Sequence, residues 1–138
     1  MVVTQELRLS TSGHTEIMKI TEQVRELLRG SCLRQGVVCL FVPGSTASIT
    51  TMEFEPGLIE DLRRAWEKIA PVHGEYAHNA RWHDGNGYAH VRASLVGPSL
   101  VVPFVDGELL LGTWQDVVFI DFDNRSRDRR IIVQIVGE

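Results

Sequence analysis

Residues 73–115, HGEYAHNARWHDGNGYAHVRASLVGPSLVVPFVDGELLLGTWQ, form the stretch on which the reading of this chain turns. Four of the five histidines, His73, His78, His83 and His90, fall here, with Asn79, Arg81, Asp84 and Asn86 between them. Gly85 and Gly87 keep the intervening backbone permissive. Histidine ligates metals and titrates near neutral pH, so the concentration points to a metal or proton-transfer site. The competing reading is a hydrogen-bonded loop that locks the fold. Beyond the histidines, residues 89–96 are predicted as a short helix with His90 and Ser94 on one face. Asp106-Gly107, set between the apolar runs 99–105 and 108–111, signals a hairpin.

Outward from this stretch, apolar residues alternate over 3–9, as in a half-buried strand. Thr15 is expected to cap a helix whose stripe is Ile17, Ile20, Val24, Leu27 and Leu28 and whose stop is Gly30. The run 37–42, ended by Pro43 and Gly44, predicts a strand covered on both faces. Residues 44–51 read as a loop in which Ser45 and Thr46 either form an anion-binding nest or an ordinary hydroxyl-rich turn. Pro56 fits the first turn of a second helix, with Leu58, Leu62, Trp66 and Ile69 as its apolar stripe. Strands at 117–122 and 129–136, separated by the turn Asp123-Asn-Arg-Ser, complete the chain. The expectation is one α+β domain over 1–138, with a mixed or antiparallel β-sheet, two main helices and a C-terminal β-meander.

A chain of 138 residues is long enough to bury one self-sufficient core. The net charge of −4 argues against an electrostatic grip on nucleic acid, and no apolar run approaches the length that crosses a bilayer. No signal sequence opens the chain, so a cytoplasmic location is expected, with Cys32 and Cys39 reduced. Arg81 and Arg92 lie near the histidines and are candidates to hold a phosphate bidentately, whereas Arg125, Arg127, Arg129 and Arg130 are expected on a solvated hairpin or a subunit contact. Trp114 and Gln115 follow Gly112-Thr113, where a strand bends; core packing and ligand binding are both open to them.

The ordered elements YAHN (76–79), NGYAH (86–90), RASLVGPS (92–99) and GELLLGTWQ (107–115) give the chain a resemblance to the YjbQ-like family of secondary thiamine-phosphate synthases. The resemblance implies a small α+β domain, a homotrimer, and weak thiamine-phosphate-forming activity. It marks His78, His90 and Glu53 as motif residues and Gln115 as a fourth catalytic candidate. Ser45, Thr46, Asn79, Arg81, Arg92 and Trp114 are the candidates for holding a small phosphorylated ligand. The chain departs from the family pattern at Gly44, where a histidine is usual, at Met52, in place of an asparagine, and at Tyr88, in place of an acid.

His78 and His90 converging from a loop and a helix are candidates to bind a divalent ion such as Zn or Mn. With Gly44 in the third position, three outcomes stay open: a lost metal, a replacement ligand such as His83 or Asp84, or metal-free acid–base chemistry. Two functional classes follow. One is a transferase with thiamine-phosphate synthase activity; the other is a trimeric binding protein that has kept the pocket and lost catalysis.

Overall fold

The computed structural model describes every residue from Met1 to Glu138. Eight strands and four helices alternate: β1 (Val2–Thr11), β2 (Glu16–Lys19), α1 (Thr21–Ser31), β3 (Gln35–Phe41), β4 (Ala47–Met52), α2 (Pro56–Ile69), α3 (Ala77–Trp82), α4 (Gly87–Val96), β5 (Ser99–Val105), β6 (Glu108–Leu109), β7 (Asp116–Asp121) and β8 (Arg127–Gly137). They form a five-stranded sheet in the order β1-β8-β3-β5-β6 and a three-stranded sheet in the order β2-β7-β4. Every pairing is antiparallel, and the α+β class is as expected.

The small sheet is the middle layer, and β7 shows why. Val117 and Phe119 point into a core shared with α1 and the large sheet, where they meet Ile20, Val24, Val38, Leu40 and Ile135. The alternate residues Val118 and Ile120 point into a second core with Trp66 of α2 and Ala89 and Ala93 of α4. An unbroken apolar run is what a strand covered on both faces requires. The rings of Trp66 and Phe122 meet edge to face in the second core, their centroids 4.9 Å apart.

Several expectations are corrected. Ile17 and Met18 lie on a strand, paired with Ile120 and Phe119, and Thr15 caps no helix. Cross-strand pairing there outweighs the helical spacing. The helix starts at Thr21, whose hydroxyl donates to Asp116 Oδ1 at 2.6 Å and accepts from the Val117 amide at 2.9 Å. It runs through Gly30 and ends on the left-handed Cys32. β3 is covered on one face only: Val38 and Leu40 are buried, while Val37 and Phe41 are exposed. The doubly covered strand is β7. The region read as a loop over 44–51 becomes β4 from Ala47 onward, because Ala47 and Ile49 face the main core.

α2 begins at Pro56 as expected, with the Glu55 carboxylate accepting from the Gly57 and Leu58 amides at 2.8 Å each. Its core-facing stripe is the buried Trp66 with the partly buried Leu58, Ile59 and Leu62; Ile69 is exposed. Two further helices, α3 and α4, occupy the histidine stretch. The Asp106-Gly107 hairpin forms, but the strands after it do not continue a meander. β7 crosses to the small sheet and β8 returns to lie between β1 and β3. No helix is long and apolar enough to cross a membrane.

Candidate functional site

An open cleft collects side chains from five places in the chain. The turn after β3 supplies Gly44, Ser45 and Thr46; α3 supplies His78 and Trp82; the link to α4 supplies Asp84 and Asn86; α4 supplies His90; and the start of β8 supplies Arg127 and Arg129. The two short helices are held together by Asn79, whose Oδ1 accepts from the Gly87 amide at 2.8 Å. Only glycine fits at 87, since a Cβ there would lie 2.6 Å from Tyr76 Cβ and 2.9 Å from Asn79 Oδ1. That close approach brings the imidazoles of His78 and His90 to a centroid separation of 4.2 Å, tilted by 38°.

Two buried aspartates support the floor. Asp121 and Asp123 have no exposed surface. Asp123 Oδ2 accepts from Arg127 Nη2 at 2.7 Å and Nε at 3.0 Å, and from the Thr46 hydroxyl at 3.1 Å. Its Oδ1 accepts from Asn86 Nδ2 at 3.2 Å and from the Asn124 amide at 2.8 Å. Burial pushes this carboxyl upward, yet these hydrogen bonds and Arg127 together hold it down at about 2. Asp121 binds Arg129 through Nε and Nη2 at 2.8 and 2.9 Å and accepts from Thr11 at 2.6 Å. Burial opposes ionisation here too, and the bonds from Arg129, Thr11 and the Asp123 amide win, leaving it below the usual carboxylate range.

Each guanidinium is thereby fixed along its Nε–Nη2 edge, and Nη1 of both Arg127 and Arg129 stays uncommitted. Above them, burial lowers His90 below its ordinary value, and the neighbouring His78 adds to the effect; Asp84 and Asp123 oppose it. His90 is therefore neutral near pH 7. Asp84 Oδ1 stands 3.4 Å from His78 Nδ1, too long to count as a hydrogen bond. His78 Nδ1 and Asn86 Oδ1 are buried polar atoms without a partner, and Asn86 is only 6% exposed. Unpaired groups of this kind are costly unless a ligand satisfies them.

Of the residues marked from the sequence, His78, His90, Ser45 and Thr46 share the cleft. His83 caps α3 in the left-handed region, exposed and outside the cleft lining; Asp84 lines it instead. Asn79 serves as the helix pin. Arg81 lies 5.9 Å from the Trp82 ring centroid and does not line the cleft. Arg92 is a structural clamp. It is 3% exposed and donates to Ala70 O, Thr15 Oγ1 and Glu67 Oε2 at 3.0, 3.0 and 2.8 Å.

Gln115 bonds Thr51 Oγ1 and the Gly112 amide, each at 3.0 Å, so it sits with Trp114 and Glu53 at the far end of β4 from Thr46. Five residues of strand put the two ends about 17 Å apart. The cleft's cations are Arg127 and Arg129, which the sequence reading placed on a solvated hairpin or subunit contact. The signal was present as two alternations, Asp121-Phe-Asp123 and Arg127-Asp-Arg129. Each puts two like charges on one strand face toward the other pair.

The three departures from the family pattern separate in space. Gly44 lines the cleft. Met52 and Tyr88 are buried in the second core, Tyr88 under the Arg92 guanidinium at 5.0 Å. Burial raises the Tyr88 phenol, with Arg92 opposing it, so Tyr88 packs rather than takes part in the site. No three His, Cys, Asp or Glu side chains are gathered as a metal ion would need. Two imidazoles fall short of the three protein ligands of a catalytic zinc centre, and the donor set does not fit the Zn or Mn ion expected.

The family model described as UPF0047 protein YjbQ-like matches residues 5–138. A UPF0047 protein of Methanothermobacter thermautotrophicus is 40% identical over 99% of this chain and 94% of its own length. YugU of Bacillus subtilis is 32% identical over 95% of this chain and 97% of its own. A solved structure from Sulfolobus solfataricus, described as a YbjQ-like protein of unknown function, superposes with a TM-score of 0.94 and 33% identity, covering 100% of this chain and 99% of that one.

Proposed function

The chain belongs to the YjbQ-like UPF0047 family, and from that premise we propose that its histidine cleft carries out group transfer on a small phosphorylated substrate in the cytoplasm, with thiamine-phosphate formation as the reaction. The observation that carries this reading is the meeting of a close, tilted imidazole pair with two preset guanidiniums in one open cleft. Departure of diphosphate places negative charge on its leaving oxygen. Nη1 of Arg127 and Arg129, already oriented by Asp123 and Asp121, meets that charge without reorganising. Neutral His90 is placed to accept a proton, with Asp84 and His78 beside it in the same cleft. Ser45 is exposed at the rim as a further phosphate donor.

The proposal includes a homotrimer assembled through the outer face of the large sheet. Val37 and Phe41 of β3, Val101 and Val105 of β5 and Val136 of β8 are exposed there. Their register makes the patch continuous, since Val37 pairs with Val136 and Cys39 with Val101. Large apolar patches of this kind mark association surfaces.

A second reading, a binding protein without turnover, is favoured by Gly44, which leaves the cleft with two imidazoles. Titration with inorganic diphosphate, followed through the His78 and His90 ring resonances, tests the shared premise. Both sets of signals should shift in the parent and stay still in Arg127→Gln; signals unmoved in the parent would remove the phosphate role.

A further inference from the structure

On the other side of Pro43 and Gly44 lies a second cavity, lined by Arg8, Ser10, Pro43, Asp128, Arg129 and Arg130 together with Leu9 and Val42. We propose that this cavity is a second phosphoryl subsite, so that the chain takes small ligands carrying two separated phosphate groups, one at Arg127 and Arg129 and one at Arg8 and Arg130. The inference deepens the reading above by sharing Arg129, and its test separates the two.

Arg8 and Arg130 stand directly opposite each other in the β1–β8 register. Like charges in that relation repel. A single carboxylate, Glu6, serves both: its Oε2 accepts from Arg8 Nη2 at 3.2 Å and its Oε1 from Arg130 Nη1 at 2.9 Å. Each guanidinium thus keeps most of its donors free, and one of the two positive charges is left uncompensated. Within the cavity, the Asp128 carboxylate is occupied by the Ser10 hydroxyl at 3.2 Å. Arg129 is paired with Asp121 and Arg8 and Arg130 share Glu6, so the cavity offers an oxyanion the uncommitted N–H donors of three guanidiniums, which grip such a group through paired donors.

Arg129 lines both cavities and joins them. At the saddle between them a Cβ on residue 44 would lie 3.3 Å from Arg129 Nη1, so glycine there leaves the bridging guanidinium unobstructed. The departure at Gly44 that takes an imidazole from one site opens the approach to the other.

Calorimetric titration with inorganic phosphate at low ionic strength tests the proposal, since exposed arginines are strongly screened by salt. The parent should bind two phosphates per chain, and Arg8→Gln with Arg130→Gln should bind one. Glu6→Gln, which removes the counter-charge, should tighten the second site about two- to five-fold, the value of one exposed ion pair. A parent that binds a single phosphate, lost in Arg127→Gln and unaffected by the Arg8 and Arg130 changes, overturns the subsite and leaves the proposed function standing. A single phosphate lost with Arg8 and Arg130 and indifferent to Arg127→Gln supports the subsite and defeats the proposed function. Circular dichroism of each variant confirms that the fold is retained.

Discussion

The imidazole rings of His78 and His90 lie 4.2 Å apart, centroid to centroid, tilted by 38°. At this separation charge on His78 disfavours charge on His90, which adds to burial in lowering the His90 titration. In His78→Asn the repulsion is removed while burial remains, and the His90 titration should move part of the way back toward 6.5. A proton NMR titration reads this directly; an unchanged or lower value would show that the rings do not interact.

The same shift has a stability consequence. His90 titrates lower in the folded chain than in the unfolded one, so the unfolded state binds more protons between the two values. The associated stability is complete above the unfolded value of about 6.5 and is lost as pH falls through the lower folded value. Asp123, held at about 2, behaves likewise at a lower pH: its contribution is present above about 4 and disappears as pH falls through about 2. Denaturant melts across pH should show two acid steps, and His90→Gln should remove the upper one.

Asp123→Asn removes a buried charge that pairs with Arg127 and accepts from Thr46 and Asn86. Breaking such a network on one side costs about 3–5 kcal/mol. Unfolding in urea should reveal a loss of that size, and a change below about 1 kcal/mol would mean that the floor of the cleft does not depend on this carboxylate.

Much of the fold was legible because its signals are local. Pro56 behind an acid, Asp106-Gly107 between apolar runs and the alternation over 129–136 all became the elements they announce. The small sheet was not legible in the same way. Residues 16–19 carry helical spacing, and only pairing with β7, a hundred residues away, makes them a strand. At the site, the histidines stood out by composition, whereas Arg127 and Arg129 did not. Their role depends on Asp121 and Asp123 lying buried beneath them, a long-range fact. Tyr88 and Met52 sit at motif positions that the resemblance drew toward chemistry, and they proved to be packing.

Gly44→His should be tolerated, because Gly44 does not have a positive φ and its Cβ would lie 3.3 Å from Arg129 Nη1, the nitrogen of that guanidinium that makes no hydrogen bond. A third imidazole beside His78 and His90 should confer thermal stabilisation by Zn²⁺ that the parent lacks. It should also raise thiamine-phosphate formation, by as much as about 10²-fold. A folded variant without either gain would show that residue 44 does not face the histidines productively.

The outer sheet face should associate. Light scattering is expected to give three times the 15.5 kDa chain mass, and Val101→Glu, a change at a 57% exposed residue, should yield a folded monomer. A parent that is monomeric at micromolar concentration would rule the trimer out.

The rate of thiamine-phosphate formation by the parent, compared with His78→Ala and His90→Ala in one chain, bears most directly on the role assigned to the cleft. A positioned acid–base group contributes roughly 10²- to 10⁴-fold, so the double variant should lose at least about 10²-fold while keeping its fold and its phosphate binding at Arg127. Equal rates in the parent and the double variant, or no product from either, would contradict the account.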